Sequence, residues 1–197
     1  MSSTNLDTRT KILTETWKLL EEQRGQNVHM SHIAKAVGIS RQAVYLHFPS
    51  RTELIVETVR YVDEVKGLND QLAQLATLTS ATALLDATIE VWGNHIPEIY
   101  GLAKTMLQTR DTDEAMAAAW GSSMGCLRDA CQAIIGALAL EGRLIPHWSE
   151  EEATDMLSAL LSFSNWEQLT VECSWEQTKY VEWMKVVAKQ TFVTDYS

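Results

Sequence analysis

Apolar residues recur at three- and four-residue steps along almost the whole chain, the period of an amphipathic helix. Over residues 10–22 the stripe is Ile12, Leu13, Thr16, Trp17 and Leu20, and Arg24-Gly25-Gln26-Asn27 breaks it. A short helix is expected over residues 30–37, closed by Gly38, because glycine takes the left-handed turn that ends a helix at little cost. Ser40 is placed to cap a third helix over residues 41–47, and Pro49-Ser50 stops it. Ser50 with Glu53 makes a capping box for a fourth, whose stripe is Leu54, Ile55, Thr58, Val59, Val62 and Val65, with Gly67 placed to bend or interrupt it.

Four or five longer helices are expected beyond residue 67. One covers about residues 80–92, one starts at Pro97, and an alanine-rich one runs over about residues 112–140 to Gly142. Ser149 with Glu152 predicts a helix of about 20 residues, and Ser174 with Gln177 is expected to cap the last. No strand-like alternation shows in the first 67 residues, and 9 glycines and 3 prolines are few for a fold that turns every dozen residues. The fold expected is all-α.

Composition narrows the classes. With 46% hydrophobic and 21% charged residues the chain can bury a core. No apolar run approaches the length of a membrane span, and the first residues hold no signal-peptide core, so a cytoplasmic protein off the membrane is expected. Cys126, Cys131 and Cys173 are too few and too irregular for a disulfide framework or zinc site. The net charge of −10 opposes wrapping a polyanion, but it is unevenly spread. Residues 1–60 carry 8 basic and 6 acidic side chains, which leaves 8 basic and 20 acidic for the remainder. A head of +2 can approach nucleic acid while a body of −12 avoids it.

The informative stretch is residues 30–54, MSHIAKAVGISRQAVYLHFPSRTEL. Two short helices that cross closely need a small residue at the crossing, here Ala34, and a turn tolerant of positive φ one helical turn on, here Gly38. Ile33, Val37, Ile39 and Val44 supply apolar contacts, and Ser40, Arg41, Gln42, Tyr45 and Leu46 project from the second helix. Arginine pairs with guanine O6/N7 and glutamine with adenine N6/N7, so this face carries base-reading chemistry. Tyr45, His47 and Arg51 can donate to phosphates.

This stretch resembles the TetR/AcrR family of bacterial transcriptional regulators. The family's turn appears as Ile33-Ala34-Lys35-Ala36-Val37-Gly38-Ile39-Ser40 and its Tyr-x-His-Phe helix as Tyr45-Leu46-His47-Phe48. Arg51 stands where a phosphate-binding lysine is more usual, His29 where Thr or Ser caps the second helix, and Gln42 where a small residue is common. The resemblance implies a DNA-binding head over residues 1–66, with His29, Ser31, Ser40, Arg41, Gln42, Tyr45, Leu46, His47 and Arg51 toward DNA. It implies a ligand-binding and dimerisation body over residues 67–197.

In that body, six tryptophans beyond residue 90 with neighbouring Met and Phe side chains exceed the needs of plain helix packing. The pocket candidates are Trp92, His95, Tyr100, Met106, Trp120, Met124, Arg128, Phe163 and Trp166. The face Met156, Leu157, Leu160, Leu161 with Tyr180, Met184 and Val187 suits an isologous four-helix contact between two copies. The expected function is a repressor that binds a palindromic operator in double-stranded DNA as a homodimer and is released by a small apolar or aromatic effector. The alternative is a helical small-molecule carrier or enzyme with an incidental helix-turn-helix. No catalytic constellation, cofactor loop or metal cluster is legible, so neither cofactor nor metal is expected.

Overall fold

The computed structural model describes residues 3–26 and 28–194; Asn27, expected in the first break, lies outside them. The described residues form an all-α protein, whose only β feature is an isolated antiparallel bridge between Leu144 and Val193. None of these helices is long and apolar enough to cross a membrane. The chain divides into two compact units, residues 1–67 with 98–122 and residues 68–97 with 123–197.

In the first unit, α1 (Ser3–Glu22) begins seven residues before its apolar stripe, supported by a Lys11–Asp7 pair at 2.9 Å, four residues apart on the helix. Thr16 is buried within the stripe because its hydroxyl donates to the Ile12 carbonyl at 2.7 Å. The short helices α2 (Met30–Val37) and α3 (Arg41–His47) have the predicted bounds. Gly38 between them adopts φ 79°, and its N–H and that of Ile39 close the last turn of α2 on the Ala34 carbonyl. Ser50 caps α4 (Arg51–Val65). Ile12, Leu20, Ile33, Val44, Phe48, Leu54 and Ile55 form the core of this unit.

The chain returns to this unit for α7 (Tyr100–Thr109) and the start of α8 (Glu114–Leu140), which add Leu102, Met106 and Met116 to the same core. Gly101 makes that return possible, since a Cβ there would overlap the Leu20 carbonyl. Across this close approach, the Glu21 carboxylate accepts the Gly101 N–H at 2.8 Å, and the Trp17 indole donates to the Glu98 carbonyl at 2.8 Å. Burial pushes the Glu21 carboxyl up to about 7 despite these bonds.

The second unit holds α5 (Leu68–Leu75), α6 (Ala81–His95), the rest of α8, α9 (Glu150–Leu160), α10 (Phe163–Glu167) and α11 (Gln177–Phe192). Helix α5 was not foreseen: Gly67, at φ 64°, ends α4 outright and a new helix starts one residue later. The start expected at Pro97 is a 3-10 turn, Ile96–Ile99, ahead of α7. Helices α6 and α11 are zipped on their edges by Lys185–Glu90 at 2.6 Å and Lys189–Asp86 at 3.0 Å.

Two expected features of this unit are corrected. The 20-residue helix from Ser149 has the predicted capping box but stops at Leu160. Ser162 caps a new helix by accepting the Asn165 N–H, and the Asn165 amide donates back to the Leu160 carbonyl at 2.6 Å, closing the break. The last helix is not capped by Ser174, which sits at φ 56°; its N-cap is Glu176, which makes no side-chain cap.

Candidate nucleic-acid interface

Helix α3 is seven residues long and shows its outer face to solvent. Its inward residue is Val44, fully buried, with Phe48 buried just beyond. Ser40, Arg41, Gln42, Tyr45 and Leu46 are all exposed, and Leu46 is 83% accessible. An apolar side chain bared this far on a short polar helix gains nothing from the chain's own core. The Ser40 hydroxyl accepts the Ala43 N–H at 3.1 Å, so it is committed to starting the helix. Arg41 lies over the Tyr45 ring with 5.4 Å to its centroid and donates to the Tyr45 hydroxyl at 3.2 Å. Gln42 is left with its amide outward.

The flanks of α3 are anchored by a residue the sequence reading missed. Arg9 of α1 sits 4.8 Å over the Phe48 ring and pairs with Glu57 of α4 at 2.7 Å, which locks the end of α3 between those two helices. Arg60 joins the pair, and together the two arginines hold the Glu57 carboxyl below its usual range. Nothing in the local pattern around Arg9 signals this, because its partners lie about 40 and 48 residues away.

Ser31 is exposed in the first turn of α2, and His29, its N-cap position, makes no side-chain cap; its ring lies 5.4 Å from that of His32. His29 and Arg51 line one open depression of about 510 Å³, with Gly25, Gln26, Thr105, Gln108 and Thr109. His47 is half-buried. Arg51 is half-buried as well, and its Nε donates to the Val28 carbonyl at 3.0 Å. Burial lowers its pKa, opposed by the nearby Asp113 carboxylate. The Thr52 hydroxyl donates to the same carboxylate, which also accepts the N–H groups of Ala115 and Met116 at 3.1 Å each. These bonds hold the Asp113 carboxyl below its ordinary range.

The residues expected at an effector pocket are divided between the two units. Tyr100, Met106 and Trp120 belong to the first unit, where Met106 is core and Trp120 carries Arg110 over its ring. The other six belong to the second unit. There the Trp92 indole donates to the Leu161 carbonyl at 2.7 Å, and that of Trp166 to the Gln177 side chain at 3.0 Å. His95, Phe163 and Trp166 are buried, Met124 is half-buried, and exposed Arg128 pairs with Asp155 at 2.7 Å. The Tyr180 hydroxyl is fully buried and has no hydrogen-bond partner among the described residues.

The expected dimer face also needs revision. Leu157, Leu161, Tyr180 and Met184 are buried in the chain's own second unit, so they have no surface to offer a second copy. Leu160 and Val187 are half-buried, and Met156 remains 48% accessible. Trp183 on α11, at 49%, is an exposed aromatic that the periodicity had not singled out.

Comparison with known proteins meets this geometry at the head. Residues 12–58 match the family described as Bacterial regulatory proteins, tetR family. Nucleoid occlusion factor SlmA of Marinomonas sp. (strain MWYL1) is 41% identical over 51 residues, a stretch that covers 26% of each protein. Along nearly the full length the fold is that of solved regulators. A protein from Saccharomonospora viridis, described as a transcriptional regulator and solved with choline, aligns with TM-score 0.81 at 18% identity over 95% of this chain and 98% of its own. A TetR transcription regulator from Haloarcula marismortui gives 0.73 at 18%, over 95% and 99%. NalD, the secondary repressor of the MexAB-OprM multidrug efflux pump in Pseudomonas aeruginosa, gives 0.68 at 18%, over 99% and 100%. Residues 12–58 thus match the DNA-binding domain model of the tetR family of bacterial regulatory proteins, and the chain as a whole shares the fold of solved regulators.

Proposed function

We propose that this protein is a cytoplasmic, ligand-responsive repressor that binds a palindromic operator as a homodimer and acts through DNA rather than as an enzyme. The observation that carries the reading is the outer face of α3. Arg41, Gln42, Tyr45 and Leu46 are exposed together on a helix whose inner side is fully spent on the core. A guanidinium, an amide and an apolar tip on one such helix match guanine, adenine and the thymine methyl in a major groove. Two copies are needed to read a palindrome, and exposed Met156 and Trp183 supply apolar surface for that contact. For the effector, a body rich in aromatic side chains with one buried, unpartnered hydroxyl at Tyr180 favours a largely apolar molecule with one polar group. The relative solved with choline supports a small-molecule site in this architecture.

The test is a gel-shift titration with the DNA upstream of the protein's own gene and with random duplex. Arg41→Ala and Gln42→Ala are each expected to lose about 1–3 kcal/mol on the cognate site and little on random DNA. Equal losses on both would remove base reading from α3.

A further inference from the structure

The start of α4 offers what a DNA phosphate requires, namely a helix N-terminus, a cation in Arg51 and a hydroxyl donor in Thr52. In this structure an internal anion already takes the Thr52 hydroxyl and acts on the charge of Arg51. The Asp113 carboxylate accepts the Thr52 hydroxyl, and its charge opposes the burial that lowers the Arg51 pKa, while its other oxygen caps the first turn of α8. Among the described residues the hydrogen bond that holds Arg51 runs from its Nε to the Val28 carbonyl, and its terminal nitrogens suit an acidic partner.

We propose that Asp113 is an internal phosphate stand-in, competing with the DNA backbone for Arg51 and Thr52 and so metering the affinity of the head. The inference rests on the reading of the head as a DNA-binding surface with Arg51 toward phosphate. Its logic is competition between two anions for one set of donors. The carboxylate is favoured by being intramolecular, and the phosphate by the counterions released when it is neutralised. Helix α8 starts next to this carboxylate in the first unit and is continuous through residues 123–140 of the second, so the group that restrains α4 is joined to the second unit by one helix. An effector that draws the first turn of α8 away frees Arg51, and one that seats it more firmly withholds Arg51.

Phosphate contacts are independent of sequence, so a labelled random duplex of about 30 base pairs in a salt titration suffices as the probe. Asp113→Asn keeps an oxygen to cap α8, removes the charge and turns the acceptor facing Thr52 into a donor. It is expected to bind the duplex about three- to tenfold more tightly at low salt. Its slope of log K against log salt should be steeper by about 0.9, the share of one added phosphate contact. In Asp113→Asn/Arg51→Ala the gain should vanish, and Glu114→Gln, which removes a neighbouring charge of the same sign, should not reproduce it. An unchanged or weakened Asp113→Asn, a gain that survives loss of Arg51, or an equal gain from Glu114→Gln overturns the inference alone. A folded wild type that binds no duplex at any salt overturns the proposed function, and the inference with it.

Discussion

The two units spend their polar side chains in opposite directions. On α3 the Arg41 and Gln42 side chains are exposed, and Arg41 bonds to Tyr45, another member of the same face. In the second unit the indoles of Trp92 and Trp148 point inward and end on the backbone carbonyls of Leu161 and Thr191. The Trp166 indole ends on Gln177, whose amide passes the bond to the Gly93 carbonyl. Trp92 and Trp166, expected at a pocket along the sequence, thus also fasten helices to one another. An unusual composition marks a site only where its polar ends lack internal partners. By that criterion the head keeps a whole surface in reserve, and the tryptophan-rich unit keeps three buried polar atoms without a partner among the described residues, the hydroxyls of Tyr180 and Thr82 and one oxygen of Asp86.

The contrast can be broken hardest in the interior of either unit. Leu161→Glu places a charge at a fully buried position of the second unit and is expected to cost about 3–5 kcal/mol, enough to leave insoluble or unfolded protein. Met156→Glu with Trp183→Glu touches only exposed positions, so the chain should stay folded and lose mass in light scattering. Insolubility of this second pair with a soluble Leu161→Glu would invert the assignment of inside and outside. In the first unit, Gly101→Ala forces a Cβ into the Leu20 carbonyl and should cost about 3 kcal/mol in urea unfolding. Gly121→Ala, on an open part of α8, should instead add about 0.5–1 kcal/mol.

The smallest effect concerns Glu21. Its carboxyl titrates near 7 in the folded protein, against an ordinary value of 4.5, so the native state holds that proton more tightly than the unfolded chain. The stabilisation linked to this proton is present below about pH 4.5 and is lost as pH rises through about 7. With solvent screening allowed for, the wild type should lose on the order of 1 kcal/mol relative to Glu21→Gln between pH 5 and pH 8. Parallel stability curves for the two proteins would show that Glu21 is not desolvated at the junction of α1 and α7.

Legibility followed the range of the interactions involved. Gly38, Ser40 and the Ser149–Glu152 box are local devices that do in the structure what their spacing predicts, while of the box expected at Ser50 the structure shows the half in which Ser50 accepts the Glu53 N–H. The α9–α10 break is local too, yet the apolar run across Leu157, Leu160 and Leu161 masked the Ser162–Asn165 cap lying inside it. The dimer face failed for a different reason. A helical stripe says that Leu157, Tyr180 and Met184 are buried but not by which chain, and this chain buries them itself. Arg9 on Phe48 and Asp113 on Thr52 join residues 39 and 61 positions apart, a distance over which no single sequence carries a signal.

The stacking of Arg41 on Tyr45 has a consequence for the kinetics of recognition. Fixing a long side chain in one rotamer costs about 1.5–2 kcal/mol of conformational entropy, ordinarily incurred when the partner arrives. Here a ring and its hydroxyl have already narrowed the arginine's choices in the free protein. A guanidinium presented in that way approaches a base edge as a rigid fork rather than a flexible arm, which disfavours near-cognate sites that need it to bend. If α3 reads bases as proposed, Tyr45 acts on sequence discrimination through its neighbour's freedom, without itself having to meet a base.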